Sequence, residues 1–405
     1  MSSKESENNT DKSNVDNMNN ENNEETVRTF TNWDMLDLDI GLLRSIYAHG
    51  FEKPSPIQSK AIYPITQGRD IIAQAQSGTG KTGSFTIGTL ARINPNDVGC
   101  QALVLAPTHE LAFQISSVFR NLSEMMDNVH IKTIVGGGSS IDDDIYDMRK
   151  NPPQVIVGCP GRVYDMIKRR HINAATIKLM VLDEADEMLS IGFKDQIYNI
   201  FQYLNTNVQV ALFSATLPNN IMAITEKFMR NPVKICVKSE NLTLEGIKQY
   251  YVALRDDNEK FDTLKQLYCH INVAQCIIYA NSVDRVMHLY EAMKTDGFPV
   301  CAIHSNMDRH ERERVFKEFR SGVSRVLIST NLTSRGIDIQ QVNMVINFDL
   351  PRDVHNYLHR IGRSGRWGRK GTGINFVTKR DIRTLREIES HYATQIDELP
   401  MNFAV

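Results

Sequence analysis

The sequence predicts an α/β protein built from two tandem, doubly wound parallel-sheet domains that are joined by a short linker. Short apolar runs rich in β-branched residues alternate with helical patterns from Trp33 onward, and a second series begins near residue 275. Runs of this length between helical segments are typical of the buried strands of βαβ units. A chain of 405 residues is also long enough for two ordinary domains.

The strand candidates fall into two series. The first series is DIIAQA (70–75), ALVLA (102–106), QVIVG (154–158), LMVLD (179–183) and VQVALF (208–213). The second series is QCIIYA (275–280), VCAI (300–303), RVLIS (325–329), MVINF (344–348) and GINFV (373–377). Because doubly wound sheets bind ligands at the carboxyl ends of their strands, we expect the site in a cleft between the domains.

Changes in composition predict the domain boundaries. Residues 1–30 contain Asn, Glu, Ser, Asp and Lys with almost no apolar side chains, so we expect a disordered tail. Domain 1 is expected at 31–237 and domain 2 at 248–405. The polar sequence VKSENLTLEGIKQ (237–249) lies between them, and the linker is placed at 238–247.

Charge and composition exclude several classes of protein. The formal net charge is -2, so any nucleic-acid site must be a local surface. No apolar stretch approaches the roughly 18 residues of a membrane span, and the amino terminus lacks the apolar region of a signal peptide. The 6 cysteines form no CxxC pair. This pattern indicates reduced thiols in an intracellular protein rather than zinc or a disulfide framework.

The sequence AQSGTGKT (75–82) follows the first predicted strand and precedes a predicted helix. Glycines in such a loop let successive N–H groups point at phosphate oxygens, the lysine reaches the β and γ phosphates, and the last hydroxyl can bind Mg²⁺. The predicted phosphate-binding residues are Ser77, Gly78, Thr79, Gly80, Lys81 and Thr82.

The sequence KLMVLDEAD (178–186) ends a buried strand with crowded carboxylates. Like charges at this spacing repel, and a bound metal ion offsets that repulsion. Asp183 can hold hydrated Mg²⁺ together with Thr82, and Glu184 can orient or deprotonate the attacking water. A phosphate loop and an acidic strand end in one sheet together predict hydrolysis of a nucleoside triphosphate.

With both motifs in place, the chain from Trp33 to Arg366 resembles the DEAD-box RNA helicases. Within that family it is most similar to the branch of translation initiation factor four-A and the exon-junction helicase. The resemblance rests on GFEKPSPIQ, AQAQSGTGKT, DEADEML, SAT, LTLEGIKQ and HRIGRSGR. It implies two RecA-like domains, ATP with Mg²⁺ in the cleft, and RNA as the partner.

The resemblance also implies roles for individual nucleotide-site residues. Phe51 would stack on the adenine and Gln58 would bind its edge. Asp338 would contact the ribose, and Arg363 and Arg366 would reach the γ-phosphate as arginine fingers.

RNA would lie across both domains and contact mostly backbone N–H groups and hydroxyls. Such contacts grip phosphates and 2′-OH groups, so binding should tolerate sequence and favour RNA over DNA. The implied RNA-binding and coupling residues are Pro107, Thr108, Gly137, Gly161, Arg162, Ser214, Thr216, Asn281, Thr330, Gly336 and His359.

Several positions depart from the family pattern. His109 replaces an arginine, Cys159 replaces a threonine, Asn331 replaces an acid and Ser334 replaces an alanine. Histidine is mostly neutral at pH 7, and Asn331 loses a charge-assisted contact to a neighbouring basic group. These changes predict weaker RNA binding with an intact nucleotide site.

The expected function is an RNA-stimulated ATPase that unwinds RNA locally, in translation initiation. The alternative is an ATP-dependent RNA clamp of an exon-junction type complex with little unwinding, because both branches share the motifs. A metabolic P-loop kinase is a poorer reading, since it leaves domain 2 without a role. Expected partners are RNA and either a scaffold with helical repeats or exon-junction proteins. We expect a cytoplasmic monomer, and a nuclear location stays open.

Overall fold

The computed structural model describes residues 28–405 apart from 77, 138–139, 190–191, 218–221, 223–224, 226, 237–246, 271–274, 335–341, 365–370, 401–402 and 404–405, and it describes no side chain at 269, 270 and 309. Residues 1–27 of the predicted tail and most of the predicted linker therefore lie outside the described residues, whereas Phe30 is buried in the domain 1 core. Among the described helices, none combines the length and the apolar composition that a membrane crossing requires.

Domain 1 is a parallel sheet of 7 strands in the order β3-β4-β2-β5-β6-β1-β7. Its strands are β1 (Ile71–Gln74), β2 (Ala102–Leu105), β3 (Ile131–Ile134), β4 (Val155–Gly158), β5 (Leu179–Asp183), β6 (Gln209–Ser214) and β7 (Val233–Cys236). Its helices are α1 (Ile40–Ala48), α2 (Pro56–Thr66), α3 (Lys81–Leu90), α4 (His109–Leu122), α5 (Ile141–Lys150), α6 (Pro160–Lys168), α7 (Ala185–Met188) and α8 (Lys194–Tyr203), with short 3-10 helices at Trp33–Met35 and Ala174–Thr176.

Domain 2 repeats this architecture with a second parallel sheet of 7 strands, in the order β10-β11-β9-β12-β13-β8-β14. Its strands are β8 (Ile247–Ala253), β9 (Gln275–Tyr279), β10 (Val300–Ile303), β11 (Val326–Ser329), β12 (Val342–Asn347), β13 (Gly371–Val377) and β14 (Asp397–Glu398). Its helices are α9 (Glu259–His270), α10 (Val283–Thr295), α11 (Arg309–Arg320), α12 (Val354–Ile361) and α13 (Ile382–Tyr392), with a 3-10 helix at Asn331–Thr333. The predicted fold class is therefore confirmed.

Each sheet is covered by helices on both faces, which explains why its central strands are apolar throughout. In β2, Val104 packs into one core together with Ile115 of α4. Leu103, which points to the opposite face, packs into a second core with Met166 of α6. Both residues are fully buried. A strand that is buried on both faces has no polar positions, which is the pattern seen in the sequence.

The strands missing from the sequence prediction lie at or near the sheet edges. β3 is only partly buried over most of its length, and β7 alternates buried and exposed residues. β8 pairs with β13 and begins at Ile247. Ile247, the last residue of the predicted linker, therefore belongs to the domain 2 sheet together with Lys248 and Gln249. Their backbone is paired in the ladder although two of their side chains are polar.

The two domains contact each other at the carboxyl ends of their strands. Arg312 of α11 forms an ion pair with Glu110 of α4 at 2.8 Å. His359 of α12 lies 3.0 Å from the carboxylate of Asp186 in α7. These contacts bring the predicted site residues of the two domains into one cleft.

Candidate active site

The loop between β1 and α3 has the backbone geometry of a phosphate-binding loop. Gly78 and Gly80 have φ angles of 80° and 102°, and Gly80 is the N-cap of α3. A side chain at Gly80 would place its Cβ 2.8 Å from the amide nitrogen of Gln58, so glycine is required there. Thr79 donates its hydroxyl to the carbonyl of Gln76 at 2.7 Å, which braces the turn.

Lys81 is the clearest sign that the loop binds an anion. Its side chain is 6% exposed, and its Nζ has no hydrogen-bond partner among the described residues. The closest charge is the carboxylate of Glu184, 3.9 Å away. A buried ammonium with unused donors is costly unless a ligand accepts its hydrogen bonds, and triphosphate oxygens would do so. The residues present therefore fit a phosphate group.

The acidic strand end lies opposite this lysine. Asp183 ends β5, and Glu184 follows in the left-handed region with a φ of 52°, a strained conformation for a residue other than glycine. Both carboxylates are 3% exposed. Burial raises the pKa of Asp183 to about 7, and the charge of Glu184 adds to this effect. A divalent cation would offset both the burial of the Asp183 carboxylate and its repulsion by Glu184. Asp183 together with Thr82 therefore fits Mg²⁺.

The two predicted adenine-binding residues, Phe51 and Gln58, lie against the phosphate loop. Ser55 and Gln58 form a reciprocal cap at the start of α2, in which the Gln58 amide oxygen accepts from the Ser55 N–H at 2.8 Å. The Gln58 amide nitrogen donates to the carbonyl of Gly80 at 3.4 Å. The Phe51 ring lies edge-on to Trp33, and the Trp33 indole donates to the Phe51 carbonyl at 2.8 Å. These contacts fix both residues near the loop, while their contacts with the base stay predictions.

Asp186 is the centre of a buried hydrogen-bond cluster at the cleft. Thr216 donates its hydroxyl to Asp186 Oδ2 at 2.7 Å, and the Asp186 N–H lies 3.4 Å from the Ser214 hydroxyl. His359 of domain 2 contacts the same Oδ2 at 3.0 Å. The cluster joins the end of β6, the acidic strand end and domain 2, which is the arrangement that a coupling role requires.

Of the two predicted arginine fingers, the structure describes Arg363. Its side chain is 8% exposed, and its Nε donates to the carbonyl of His359 at 3.4 Å. Arg363 therefore sits one helical turn beyond the residue that reaches Asp186 of domain 1. Ser77, Gly336, Asp338 and Arg366 lie outside the described residues, so their predicted roles stay predictions.

On the domain 1 side of the predicted RNA interface, the residues follow the ends of β2, β3 and β4. Thr108 caps α4, where its hydroxyl accepts from the Leu111 N–H at 3.3 Å, directly after the buried Pro107. Gly137 has a φ of 75° and is exposed, and a Cβ there would lie 3.7 Å from the His109 ring. Gly161 is exposed in the first turn of α6. Gly137 and Gly161 are therefore exposed on this face, while Thr108 is half-buried and Pro107 is buried.

Arg162 differs from the other residues of this face. Its guanidinium donates to Asp144 Oδ2 at 3.3 Å, and its side chain is 13% exposed. Asp144 is buried in α5 and also contacts Lys132 of β3 at 3.2 Å. Arg162 therefore ties α6 to α5 within domain 1, an interaction that the sequence did not predict.

In domain 2, Asp349 organises the loop that carries Asn281. It accepts from Lys260 at 2.9 Å and from Arg285 at 2.6 Å, and it accepts from the Asn281 N–H at 3.1 Å. Burial alone would raise the pKa of Asp349, but the hydrogen bond from Arg285 and the charge of Lys260 lower it below its usual value. Thr330 caps the 3-10 helix at Asn331–Thr333, where its hydroxyl accepts from the Leu332 N–H at 3.4 Å.

Arg360 links these loops from within the core. It is fully buried and donates to the side-chain oxygens of Asn331 at 2.7 Å and Asn281 at 2.8 Å, and to the Asp349 carbonyl at 2.7 Å. Arg360 is the neighbouring basic group of Asn331. Burial lowers its pKa to about 10. The neutral Asn331 thus holds a guanidinium that an acid would hold more strongly.

Comparison with known proteins agrees with this geometry. The profile of the DEAD/DEAH box helicases matches residues 55–224, and that of the helicase conserved C-terminal domain matches residues 259–368. The chain belongs to the DEAD-box helicase family. The ATP-dependent RNA helicase eIF4A of Sclerotinia sclerotiorum is 52% identical over 376 residues, which cover 93% of this chain and 94% of that protein. This DEAD-box protein is an ATP-dependent RNA helicase.

Solved helicase structures superpose on both domains. Dbp5 of S. cerevisiae bound to RNA and ADP BeF3 gives a TM-score of 0.84 at 36% identity, covering 92% of this chain and 95% of that one. A variant of Dbp5 bound to Gle1 and IP6 gives a TM-score of 0.75, also at 36% identity, covering 93% and 96%. The chain of the DEAD-box protein therefore superposes more closely on the first of these two structures.

Proposed function

We propose that RNA and ATP together draw the two domains closed, and that this closure stimulates ATP hydrolysis and unwinds RNA locally. The observation that carries the proposal is the contact between His359 and Asp186, which joins domain 2 to the acidic strand end that also supplies Glu184. An enzyme in which closure completes the site couples its two ligands reciprocally.

The site residues have distinct tasks in this scheme. Lys81 binds the terminal phosphates, and Glu184 orients the attacking water and accepts its proton. Arg363 supplies positive charge from domain 2 when the cleft is closed. Thr82 and Asp183 would hold Mg²⁺, which when bound neutralises the charge that develops on the phosphates. The left-handed backbone at Glu184 fixes its side chain beside Lys81.

The arrangement of the domains supports the closed state as the RNA-bound state. The chain superposes better on Dbp5 bound to RNA and ADP BeF3 than on the Dbp5 variant bound to Gle1 and IP6, although the sequence identity is the same. RNA gripped by both domains would be bent, which strains a duplex locally.

A steady-state ATPase assay with and without single-stranded RNA tests the coupling. We expect RNA to raise turnover or to lower the apparent KM for ATP. Lys81→Ala should abolish ATP use, whereas Glu184→Gln should still bind ATP without hydrolysing it. Glu187→Gln is the matched control, because it removes a carboxylate three residues away that has no predicted role. An ATPase rate that saturating RNA leaves unchanged would refute the coupling.

For the biological process, we propose translation initiation in the cytoplasm by a monomer that a helical-repeat scaffold assists. The eIF4A name of the relatives supports this assignment. The exon-junction type clamp uses the same site residues and would act in the nucleus. Slow release of RNA in the presence of an ATP analogue, together with capture of exon-junction proteins, would favour the clamp. Fast release and capture of a scaffold with helical repeats would favour initiation.

A further inference from the structure

One face of α6 continues from the predicted RNA contact in its first turn. Gly161, Tyr164 and Lys168 follow each other at intervals of three and four residues, so they lie on the same side of the helix. Gly161 and Lys168 are exposed, and Tyr164 is half-buried. A rise of about 1.5 Å per residue places Lys168 roughly 10 Å beyond Gly161 along the helix axis.

Aromatic rings and a cation meet on this face. The Lys168 ammonium lies 5.9 Å from the centre of the Tyr164 ring. The Tyr164 ring lies 6.4 Å from that of Tyr203 in α8, tilted by 56°, and Tyr203 is 46% exposed. The two rings form an accessible aromatic step that ends at a positive charge.

The charge of this face is not balanced by neighbouring acids. Arg169 is paired with Asp165 at 2.9 Å. Lys168 forms no ion pair within the described part of the chain, and neither does the exposed Arg170, which follows the end of α6. A local positive surface therefore exists on a chain whose formal net charge is -2.

We propose that this face, defined by Tyr164, Lys168 and Tyr203 and named the α6 platform, binds the single-stranded RNA that leaves the cleft at Gly161. A base stacks on the tyrosine step, and the following phosphate contacts the Lys168 ammonium. Surfaces that bind single strands without sequence preference combine aromatic stacking with positive charge in this way.

Two observations favour RNA over a protein as the occupant. The platform is continuous with the predicted RNA contact on the same helix, and its uncompensated charge complements a phosphate backbone. The inference rests on the proposed function, because it extends the RNA path beyond the residues that grip RNA in the cleft. It adds an RNA-binding site that contributes to affinity only when the RNA is long enough to reach it.

The test measures how RNA affinity depends on RNA length, using the full chain, an ATP analogue and labelled oligouridylates. Wild-type affinity should rise beyond the shortest oligonucleotide that stimulates the ATPase. Tyr164→Ala should weaken the binding of long oligonucleotides by roughly fivefold or more and leave the binding of the shortest one unaffected. Lys168→Gln should also reduce the salt dependence of long-RNA binding, by about 0.7 in the log-log slope for each lost phosphate contact.

Matched variants separate the platform from general effects. Tyr164→Phe and Lys168→Arg keep the ring and the charge, so they should retain the length dependence. Tyr198→Ala is the control on the other flank of α8, where an exposed tyrosine packs against Phe228 at 5.9 Å. Lys168→Gln changes an exposed side chain, so its result does not depend on the packing of Tyr164.

The outcomes distinguish the platform from the proposed function. Short RNA can stimulate the ATPase normally while Tyr164→Ala and Lys168→Gln keep the wild-type dependence of affinity on RNA length. In that case the α6 platform does not bind RNA, and a protein partner becomes its candidate occupant. If RNA of any length fails to stimulate the wild type, the proposed function fails and the platform fails with it.

Discussion

Asn331 holds a fully buried arginine with a neutral side chain, and replacing it by Asp tests how much that neutrality costs. Arg360 donates from Nε to the Asn331 side chain at 2.7 Å, and its other side-chain acceptors, Asn281 and Asn347, are also amides. Asn331→Asp places a carboxylate oxygen at the position of the Asn331 amide oxygen and leaves the shape of the side chain unchanged. The perturbation therefore converts a neutral hydrogen bond into a charge-assisted one.

The size of the effect follows from the burial of the two partners. A neutral hydrogen bond contributes about 0.5–1.5 kcal/mol and one to a charged group about 1.5–3 kcal/mol. Arg360 is fully buried but Asn331 is exposed, so solvent screening keeps the gain at about 1 kcal/mol. A gain of this size should raise the Tm of a domain of this length by about 2–4 °C.

Scanning calorimetry of the nucleotide-free full chain measures this shift. Asn331→Ala serves as the opposite control, because it leaves the Arg360 Nε without its acceptor and should cost about 1–3 kcal/mol. The transition that Asn331→Ala lowers identifies the unfolding of domain 2. The reasoning is refuted if Asn331→Asp leaves that transition at or below its wild-type temperature.

Three further changes have defined outcomes. His109→Arg adds a permanent cation to the predicted RNA face and should tighten the binding of single-stranded RNA a few-fold. The slope of log affinity against log salt concentration should become steeper by about 0.7. An unchanged slope in anisotropy titrations would show that position 109 does not contact a phosphate. Arg312→Glu opposes Glu110 across the cleft and should reduce RNA stimulation of the ATPase, while the double variant Glu110→Arg/Arg312→Glu restores it; a double variant as poor as the single one argues against the ion pair. Asp349→Asn removes the carboxylate that Lys260 and Arg285 share, while Lys260 keeps its ion pair with Asp257, so it should cost about 1.5–3 kcal/mol in denaturant unfolding. The folded-state pKa of Asp349 lies below its usual value. Its contribution to folding stability is therefore present above the unfolded-state pKa of about 4 and is lost as the pH falls through the folded-state pKa. The Asp349→Asn variant should lack this acid-induced loss of stability.

The parts of the site that the sequence predicted depend on neighbours along the chain. The phosphate loop needs glycines at Gly78 and Gly80, where φ is positive, and a lysine at the start of a helix. The acidic pair Asp183–Glu184 needs only the end of a buried strand. Such features are encoded within a few residues, so a strand, a loop and a helix start suffice to place them.

The parts that the sequence missed depend on contacts between distant residues. The acid-rich start of α5 is typical of a solvated helix end, and nothing in it shows that Asp144 is buried against Arg162. Likewise, Arg312 lies in a highly charged helix, so its pairing with Glu110 emerges only when the domains meet. The edge strands were missed because partial exposure interrupts the apolar pattern.

The sharing of Asp186 Oδ2 between Thr216 and His359 bears on how easily the enzyme can reset after each turnover. When the domains part, the carboxylate keeps its bond to the Thr216 hydroxyl, and the imidazole passes into water. Neither the carboxylate nor the imidazole is then buried without a hydrogen-bond partner. A buried polar group without a partner is what makes the loss of a hydrogen bond costly. The contact between His359 and Asp186 can therefore break and re-form repeatedly while domain 1, which carries the phosphate loop, keeps its structure.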